Sequence, residues 1–389
     1  MKVRTLGRMR VLFASTRGSG HFQPLVPLID ACTARGDDVL VVAPPALESL
    51  LAARKQPYRI GGEPPREELA QIMEQVLALS PDDGVVMMVG EVFGRRCTAA
   101  MLPALDEACR DWRPDLVLHE SFEFASVVAA ERHGIPHARV AVSAAGFTSA
   151  TDPLLPPVLD AYGPGIAQRL LDSPYLTRLP ASMDPSPYAV THRYHEALRP
   201  GVLPDWWGGA EEPLVNVTLG TEAGALPTAV GLYRAVVDAV SALPVRVLLT
   251  TGHHIDASDL GPLPPHVHVE PWVPQADVLR GASLVVCHGG SGTVYGALAA
   301  GVPLVCVPLF ADQPENADLV AGAGAGMAVP PTGGPADEPA VLGPDDVRSI
   351  RAAAERILAE PSYRTRAERL ADEMGAAVPV EELLDILRT

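Results

Sequence analysis

The sequence predicts an α/β protein that contains two doubly wound parallel sheets, one in each half of its 389 residues. In both halves, short apolar runs alternate with helical patterns, and strands that are apolar throughout are typical of parallel sheets covered by helices on both faces. The segment 199–213 is dense in proline, glycine and charge, which is the composition of a linker. We therefore expect an N-terminal domain over 9–204, a linker over 205–213 and a C-terminal domain over 214–374.

The first half contains apolar runs that predict strands, and the stretches between them predict helices. The predicted strands are Arg10–Ala14, Asp38–Ala43, Leu116–His119 and His137–Val142. The predicted helices are Pro24–Ala34, Glu67–Leu79 and Glu91–Cys109.

The second half repeats this alternation and ends in amphipathic helices. Its predicted strands are Leu214–Leu219, Val245–Thr250, Val267–Glu270, Leu284–Cys287 and Leu304–Val307. Its predicted C-terminal helices are Pro344–Ala359, Ser362–Met374 and Val380–Leu387. We expect the last helix, within 375–389, to pack back on the first domain. Because ligands of doubly wound sheets bind at the carboxyl ends of the strands, two such domains facing each other would form a cleft with a site on each wall.

Composition excludes several classes of function. The net charge of −17 would repel nucleic acid, and no stripe of basic residues with interleaved aromatics appears. A small phosphorylated ligand remains compatible, because salt screens distant surface charge beyond about 8 Å. No run approaches the roughly 18 apolar residues that a membrane helix needs. The five cysteines lack CxxC spacing, which indicates reduced thiols in a cytoplasmic protein.

A glycine-rich turn, Cys287-His-Gly-Gly-Ser-Gly-Thr293, lies between a predicted strand and a predicted helix over Val294–Ala300. This geometry directs unpaired backbone N–H groups and the positive end of a helix dipole at one point. His288, Ser291 and Thr293 add side-chain donors. The turn therefore predicts a phosphate or diphosphate site; the alternative is an ordinary tight turn, since glycine patterns alone match falsely.

Two titratable residues follow strands of the first half. His21 comes after Arg10–Ala14, where a neutral imidazole could act as a general base. Glu120 follows the strand that ends at His119 and could accept the Nδ1–H of His21. The alternatives are a structural histidine and a solvated carboxylate. The glycines before His21 are not a dinucleotide fingerprint, because Gln23 stands where the third glycine would fall.

Three further features of the second half follow predicted strands. Gly220 and Thr221 are a second candidate for phosphate contact. Trp272 could stack on a flat base, although a tryptophan is more often part of the core. Asp312 and Gln313 form a donor–acceptor pair suited to sugar hydroxyls, or else a helix cap.

Taken as a set, the motifs resemble the GT-B glycosyltransferases, most closely the bacterial antibiotic (natural-product) enzymes related to plant UDP-glycosyltransferases. The resemblance covers nearly the whole chain, from Arg10 to about Met374. The motifs that carry it are GSGHFQPLVPL (18–28), VNVTLGT (215–221), VEPWVPQADVL (269–279), CHGGSGTVYGALAAGVPLVCVP (287–308) and ADQPENA (311–317).

The resemblance implies a nucleotide-diphosphate sugar bound by the C-terminal domain and an acceptor bound by the N-terminal domain. Trp272 would stack on the base, the motif from His288 to Thr293 would hold the diphosphate together with Thr221, and Asp312 and Gln313 would bind the sugar. The full set of implied donor residues is Gly220, Thr221, Trp272, Val273, Gln275, His288, Gly290, Ser291, Gly292, Thr293, Asp312 and Gln313. Its catalytic pair would be His21 as base and Glu120, at the place where the family usually carries an aspartate.

One departure from the family concerns the nucleotide. Plant-type motifs, and some UDP-using bacterial relatives, carry a glutamate for the ribose hydroxyls about eight positions after the motif histidine, and here that position is Gly296. We therefore expect a dTDP-activated deoxysugar as donor, with a UDP-sugar as the alternative. No suitable cluster of metal ligands appears in the sequence, so we expect no metal requirement and no other cofactor.

The acceptor pocket is expected from 67–96 and 144–181, with Phe93, Phe147 and Leu154 as contacts. These apolar side chains favour a hydrophobic aglycone such as a polyketide. The expected reaction is a single displacement with inversion, by a monomer or homodimer. Two alternatives remain: an inactive homologue that activates another enzyme, and a sugar-nucleotide 2-epimerase, which needs no acceptor. An intact His21 and Glu120 argue against the first.

Overall fold

The computed structural model describes residues 8–196, 211–221, 223–333 and 341–388. The chain forms two compact units. The first holds Met1–Arg178, Ser186–Glu196 and Val378–Thr389, and the second holds Leu179–Pro185 and Ala197–Ala377. Residues 205–210 of the expected linker lie outside the described residues.

The first unit contains one eight-stranded sheet, in the order β14-β7-β6-β5-β4-β1-β2-β3. All neighbouring strands in this order run parallel. The strands are β1 (Arg10–Ala14), β2 (Asp38–Ala43), β3 (Tyr58–Ile60), β4 (Leu116–Glu120), β5 (His137–Val140), β6 (Tyr175–Thr177), β7 (Thr191–His195) and β14 (Val378–Pro379).

Helices cover both faces of this sheet. They are α1 (Ser19–Phe22), α2 (Val26–Ala34), α3 (Glu48–Arg54), α4 (Arg66–Leu77), α5 (Pro81–Met87), a π-helix (Met88–Cys97), α6 (Thr98–Trp112), α7 (Ala125–His133), α8 (Ala145–Thr151), α9 (Pro156–Leu159), α10 (Ile166–Asp172) and α17 (Val380–Ile386). Leu12 and Val117 pack with α6 and α7 on one face. Phe13 and Leu118 pack with α2 and α17 on the other face. Burial on both faces is the physical reason why β1 and β2, in the middle of the sheet, are apolar at every position after their first residue.

The second unit contains a six-stranded parallel sheet in the order β10-β9-β8-β11-β12-β13. The strands are β8 (Leu214–Thr218), β9 (Arg246–Thr250), β10 (Val267–Glu270), β11 (Ala282–Cys287), β12 (Leu304–Cys306) and β13 (Gly326–Ala328). The helices are α11 (Ala229–Val240), α12 (Gln275–Leu279), α13 (Ser291–Ala299), α14 (Gln313–Gly322), α15 (Pro344–Ala359) and α16 (Pro361–Gly375). Val217 and Val286 pack with α11 and α15 on one face, and Leu248 packs against Val278 of α12 on the other.

The structure corrects two predicted helices and adds short strands. The helix expected over Pro24–Ala34 begins at Val26 as α2, after a 3-10 turn over Gln23–Leu25. The short helix α1 precedes it, because Gly18 with a φ of 100° turns the chain and its carbonyl accepts the N–H of His21. The helix expected over 91–109 is divided into the π-helix and α6. Strands β3, β6, β7, β13 and β14 were not predicted, since short strands at or near a sheet edge lack a clear apolar run.

Candidate active site

His21 and Glu120 lie at the carboxyl edge of the first sheet. Strands β1 and β4 are parallel neighbours, with Ala14 opposite His119, so the chain segments that follow them meet at one edge. Nδ1 of His21 is 3.1 Å from Oε2 of Glu120. The carboxylate is fully buried and the imidazole side chain is 25% exposed. Glu120 is therefore an internal carboxylate beside an accessible histidine, and not a solvated loop residue.

Three protein donors hold Glu120 in place besides His21. The Thr16 hydroxyl and the Thr16 N–H donate to Oε1 at 2.6 and 3.2 Å. The Phe122 N–H donates to Oε2 at 2.8 Å. Burial acts to raise the pKa of Glu120, but His21 and these hydrogen bonds outweigh it and hold that pKa below its ordinary value. The carboxylate is therefore ionised at neutral pH.

Aromatic rings surround the imidazole of His21. The Phe93 ring centroid lies 5.3 Å from that of His21, and the Phe122 centroid lies 6.0 Å from it. Phe122 also stacks on Phe93 at 5.7 Å and meets Phe147 edge-on at 6.4 Å. Two of the predicted acceptor contacts are thus joined through Phe122, which sequence reasoning missed. Its place directly after Glu120-Ser121, at the end of a strand, was the signal that could have found it.

Phe93, Phe147 and Leu154 share one environment. Each is partly buried and packs against the apolar cluster that includes α6 and α7. Phe93 is carried by the π-helix Met88–Cys97, a rare element that occurs frequently at functional sites. The three side chains therefore keep some accessible apolar surface, and that of Phe93 lies next to His21.

A second carboxylate close to this site was also missed. Glu123 is buried and accepts the N–H groups of Ala125 and Ser126 at 3.2 and 3.0 Å, which caps the start of α7. Burial raises the pKa of Glu123 to about 7, and the charge on Glu120 acts in the same direction.

The first unit also contains a cavity of about 490 Å³, whose walls include the charged residues Glu68, Arg95 and Arg96. This cavity therefore differs from the aromatic surface around His21.

In the second unit, the glycine turn follows β11 and leads into α13, as predicted. The imidazole of His288 lies between two glycines: a Cβ added at Gly290 would be 2.3 Å from its Nε2, and one at Gly220 would be 2.6 Å away. Gly289 has a φ of +82° and leaves no room for a side chain beside the Gln313 carbonyl. These glycines are needed for close packing as well as for backbone approach to a ligand.

His288 is uncharged in this setting. Burial lowers the pKa of its imidazole to about 4, although the Thr218 backbone acts in the opposite direction. The ring therefore contributes hydrogen-bonding groups to the turn at neutral pH and no positive charge. Gly292 and Thr293 lie in the first turn of α13, whose backbone N–H groups lack helical acceptors at the N-terminus.

The start of α14 is joined to the glycine turn by side-chain hydrogen bonds. Ser291 Oγ donates to Asp312 Oδ2 at 2.7 Å. Asn316 Nδ2 donates to the same oxygen at 2.9 Å and to the Gly289 carbonyl at 2.9 Å. Gln313 is buried, and its Oε1 accepts the N–H groups of Leu309 and Phe310. Asn316 was not predicted, although it stands one helical turn from Asp312.

The remaining predicted donor residues differ in their exposure. Trp272 is 62% exposed, so it is not a core residue. Val273 packs against the small cluster that includes Val278. Thr221 is exposed, directly after Gly220. Gln275 lies against Gly296, where an added Cβ would be 2.8 Å from Gln275 Oε1.

Two family domains match the chain. Residues 82–220 match the N-terminal domain of the erythromycin biosynthesis protein CIII-like family, and residues 234–388 match its C-terminal domain. The chain belongs to this family. Its members and relatives identify it as an antibiotic natural-product glycosyltransferase, as the sequence motifs predicted.

Individual relatives agree with that assignment. Elloramycin glycosyltransferase ElmGT of Streptomyces olivaceus is 33% identical, over 94% of this chain and 93% of the relative. The calicheamicin glycosyltransferase CalG4 has a TM-score of 0.76 at 25% identity, covering 98% of each chain. SsfS6 of Streptomyces sp. SF2575, solved with thymidine diphosphate, has a TM-score of 0.73 at 25% identity and covers 98% of this chain and 99% of its own. The predicted GT-B fold is confirmed.

Enzymes of this kind use a nucleotide sugar as co-substrate. Within the part of the chain that the structure describes, no group of three or more His, Cys, Asp or Glu side chains is arranged to hold a metal ion. Across the same residues, no helix of this glycosyltransferase combines the length and apolar character needed to span a membrane.

Proposed function

We propose that this glycosyltransferase moves a deoxysugar from a dTDP-activated donor to a hydroxyl group of a hydrophobic natural-product acceptor, with inversion at the anomeric carbon. The observation that carries the proposal is the 3.1 Å approach of His21 Nδ1 to the buried carboxylate of Glu120, beside an accessible aromatic surface.

His21 is the general base of the proposed reaction. Nε2 of the neutral imidazole takes the proton of the acceptor hydroxyl as that oxygen bonds to the anomeric carbon, while the bond from that carbon to the diphosphate breaks. Nδ1–H faces Glu120, whose negative charge stabilises the imidazolium that forms. Attack opposite the leaving group inverts the anomeric configuration in a single step.

The aromatic side chains near His21 support a hydrophobic acceptor. Phe93 and Phe147 are partly exposed, and the buried Phe122 contacts both of them and His21. Flat apolar rings of an acceptor bind well against such side chains, because the contact buries apolar surface and allows favourable edge-to-face geometry. Leu154 is partly buried and packs against the same apolar cluster.

The second unit supports a donor with a diphosphate. The N-terminus of α13, with Gly290, Ser291, Gly292 and Thr293, offers backbone donors and a favourable dipole to the leaving group. Exposed Trp272 is suited to stack on the base, with Val273 and Gln275 next to it. Because Oε1 of Gln313 already accepts two backbone N–H groups, Gln313 would meet the sugar through its amide nitrogen.

The preference for dTDP rests on Gly296. This position carries no carboxylate for a ribose 2′-hydroxyl, and Gln275 fills the space where a side chain would begin. SsfS6, solved with thymidine diphosphate, has the same fold, which supports the same nucleotide here.

The test is a donor and acceptor panel. The protein is incubated with a dTDP-sugar, alone and with aromatic or macrolide acceptors, and nucleotide release and product configuration are followed by chromatography and NMR. We expect release that depends on the acceptor and an inverted glycosidic bond. An altered sugar without acceptor would indicate the epimerase, and no turnover with any acceptor would favour the activator partner. If UDP bound about tenfold tighter than dTDP, the inference that Gly296 favours dTDP would be contradicted.

A further inference from the structure

Thr16 donates two hydrogen bonds to Glu120, and neither has a part in the proton transfer proposed for His21. It follows β1 after Ser15 and is buried. Its hydroxyl donates to Oε1 at 2.6 Å, and its N–H points at the same oxygen at 3.2 Å. The other oxygen, Oε2, faces His21 and accepts the Phe122 N–H. Each carboxylate oxygen thus has its own set of partners.

A glutamate needs such an anchor more than an aspartate does. Its side chain has one more rotatable bond, and fixing that bond costs conformational entropy. The terminal torsion is also broad, so the carboxylate plane is weakly defined unless hydrogen bonds select it. Two donors from Thr16 on one oxygen select the orientation that leaves the other oxygen beside His21.

We propose that Thr16 is a positioning residue for the catalytic pair: its hydroxyl fixes Oε1 of Glu120 so that Oε2 remains on Nδ1 of His21. The proposal rests on the assigned role of His21 as the base. Thr16 and Glu120 form a matched pair, in which the threonine compensates for the extra methylene of the glutamate.

The main test compares Thr16→Val, which keeps the shape and removes the hydroxyl, with Thr16→Ser, which keeps the hydroxyl. Thr16→Val is expected to lower kcat by about ten- to hundredfold, the range for losing a hydrogen bond to a charged group. Thr16→Ser should retain most of the wild-type kcat. The acceptor KM and the donor Kd should be unchanged in both, and thermal unfolding verifies that both variants are folded.

A double-mutant cycle separates positioning from a general structural role. In the His21→Ala background, Thr16→Val should cause no further loss, because the residue that it positions is gone. A loss of equal size in both backgrounds would overturn the proposal, as would wild-type kcat in Thr16→Val. Wild-type kcat in His21→Ala would instead refute the proposed base, so the two failures are distinguishable.

Glu120→Asp is a second test that leaves Thr16 intact. The shorter side chain withdraws the carboxylate by about 1.5 Å, one carbon–carbon bond, so it cannot keep both Thr16 and His21 at their present distances. We expect a lower kcat for this conservative change. The double variant Thr16→Val with Glu120→Asp should lose less than the product of the single losses. Full activity in Glu120→Asp would contradict the matched pair.

Discussion

Glu120 Oε2 lies 3.1 Å from His21 Nδ1, and the two residues reach this distance because β1 and β4 are parallel neighbours that end at the same edge. The carboxylate is enclosed by protein while the imidazole keeps access to solvent. A charge held in this way is weakly screened, so it acts on His21 more strongly than a surface carboxylate would.

Replacing His21 by alanine should abolish most of the catalysis and leave the donor bound. We expect kcat to fall by about 10² to 10⁴, the range for a positioned general base. Donor Kd should be unchanged, because the predicted donor residues belong to the other unit. Steady-state kinetics and calorimetric titration with the nucleotide diphosphate measure the two quantities. His133→Ala, at the end of α7 in the same unit, is the matched control and should keep its activity.

Gly290→Ala should weaken donor binding through a steric effect alone. The φ of Gly290 is −63°, which any residue adopts, but the added methyl group would be 2.3 Å from Nε2 of His288. The ring must move, and the turn that precedes α13 moves with it. We expect the Kd of the nucleotide diphosphate to rise about tenfold or more, given the roughly 1–3 kcal/mol cost of overpacking. Gly231→Ala, in α11 with open space around it, is the control.

The motifs assigned to the donor are recognisable in the sequence because each is a contiguous block that joins a strand to a turn or a helix, and their role in donor binding stays a prediction. The apolar runs of β1 and β2 gave correct bounds because burial on both faces leaves a continuous apolar signal. Thr16 could not be predicted, because its role arises from contact with a segment distant in sequence, whereas Phe122 could have been found from its place directly after the end of β4. The π-helix has no periodicity that distinguishes it from an α-helix in the sequence.

Glu123 should make the stability of the protein depend on pH. Its folded pKa of about 7 lies above the ordinary value of 4.5, so folding favours the protonated carboxyl. This contribution is fully present below about pH 4.5 and is lost as the pH rises through about 7. Glu123→Gln removes the titration. The free energy of unfolding of wild type relative to Glu123→Gln should therefore fall by up to about 3 kcal/mol between pH 4.5 and pH 8.

Urea unfolding of both proteins across this range measures the difference. Glu107→Gln, an exposed change on α6, is the matched control and should show no such trend relative to wild type. A constant difference between wild type and Glu123→Gln would mean that the folded protein does not perturb this carboxyl.

Phe122→Leu should affect the acceptor and not the donor. The change keeps an apolar side chain but removes the ring that lies between His21, Phe93 and Phe147. If flat acceptors bind against this surface, their KM should rise by about two- to tenfold, since an aromatic pair contributes roughly 0.5–1.5 kcal/mol beyond burial. Donor Kd should stay at its wild-type value.

The same substitution at Phe124 separates binding from packing. Phe124 is buried in the same apolar cluster, so Phe124→Leu loosens the core by a comparable amount. Only Phe122→Leu should change the acceptor KM, measured with one aromatic and one macrolide acceptor at saturating donor. Equal changes in both variants would show that acceptor affinity follows the packing of the first unit. Phe122 is buried, so a larger effect on the aromatic acceptor than on the macrolide would show that it holds Phe93 and Phe147 in the arrangement that selects flat acceptors.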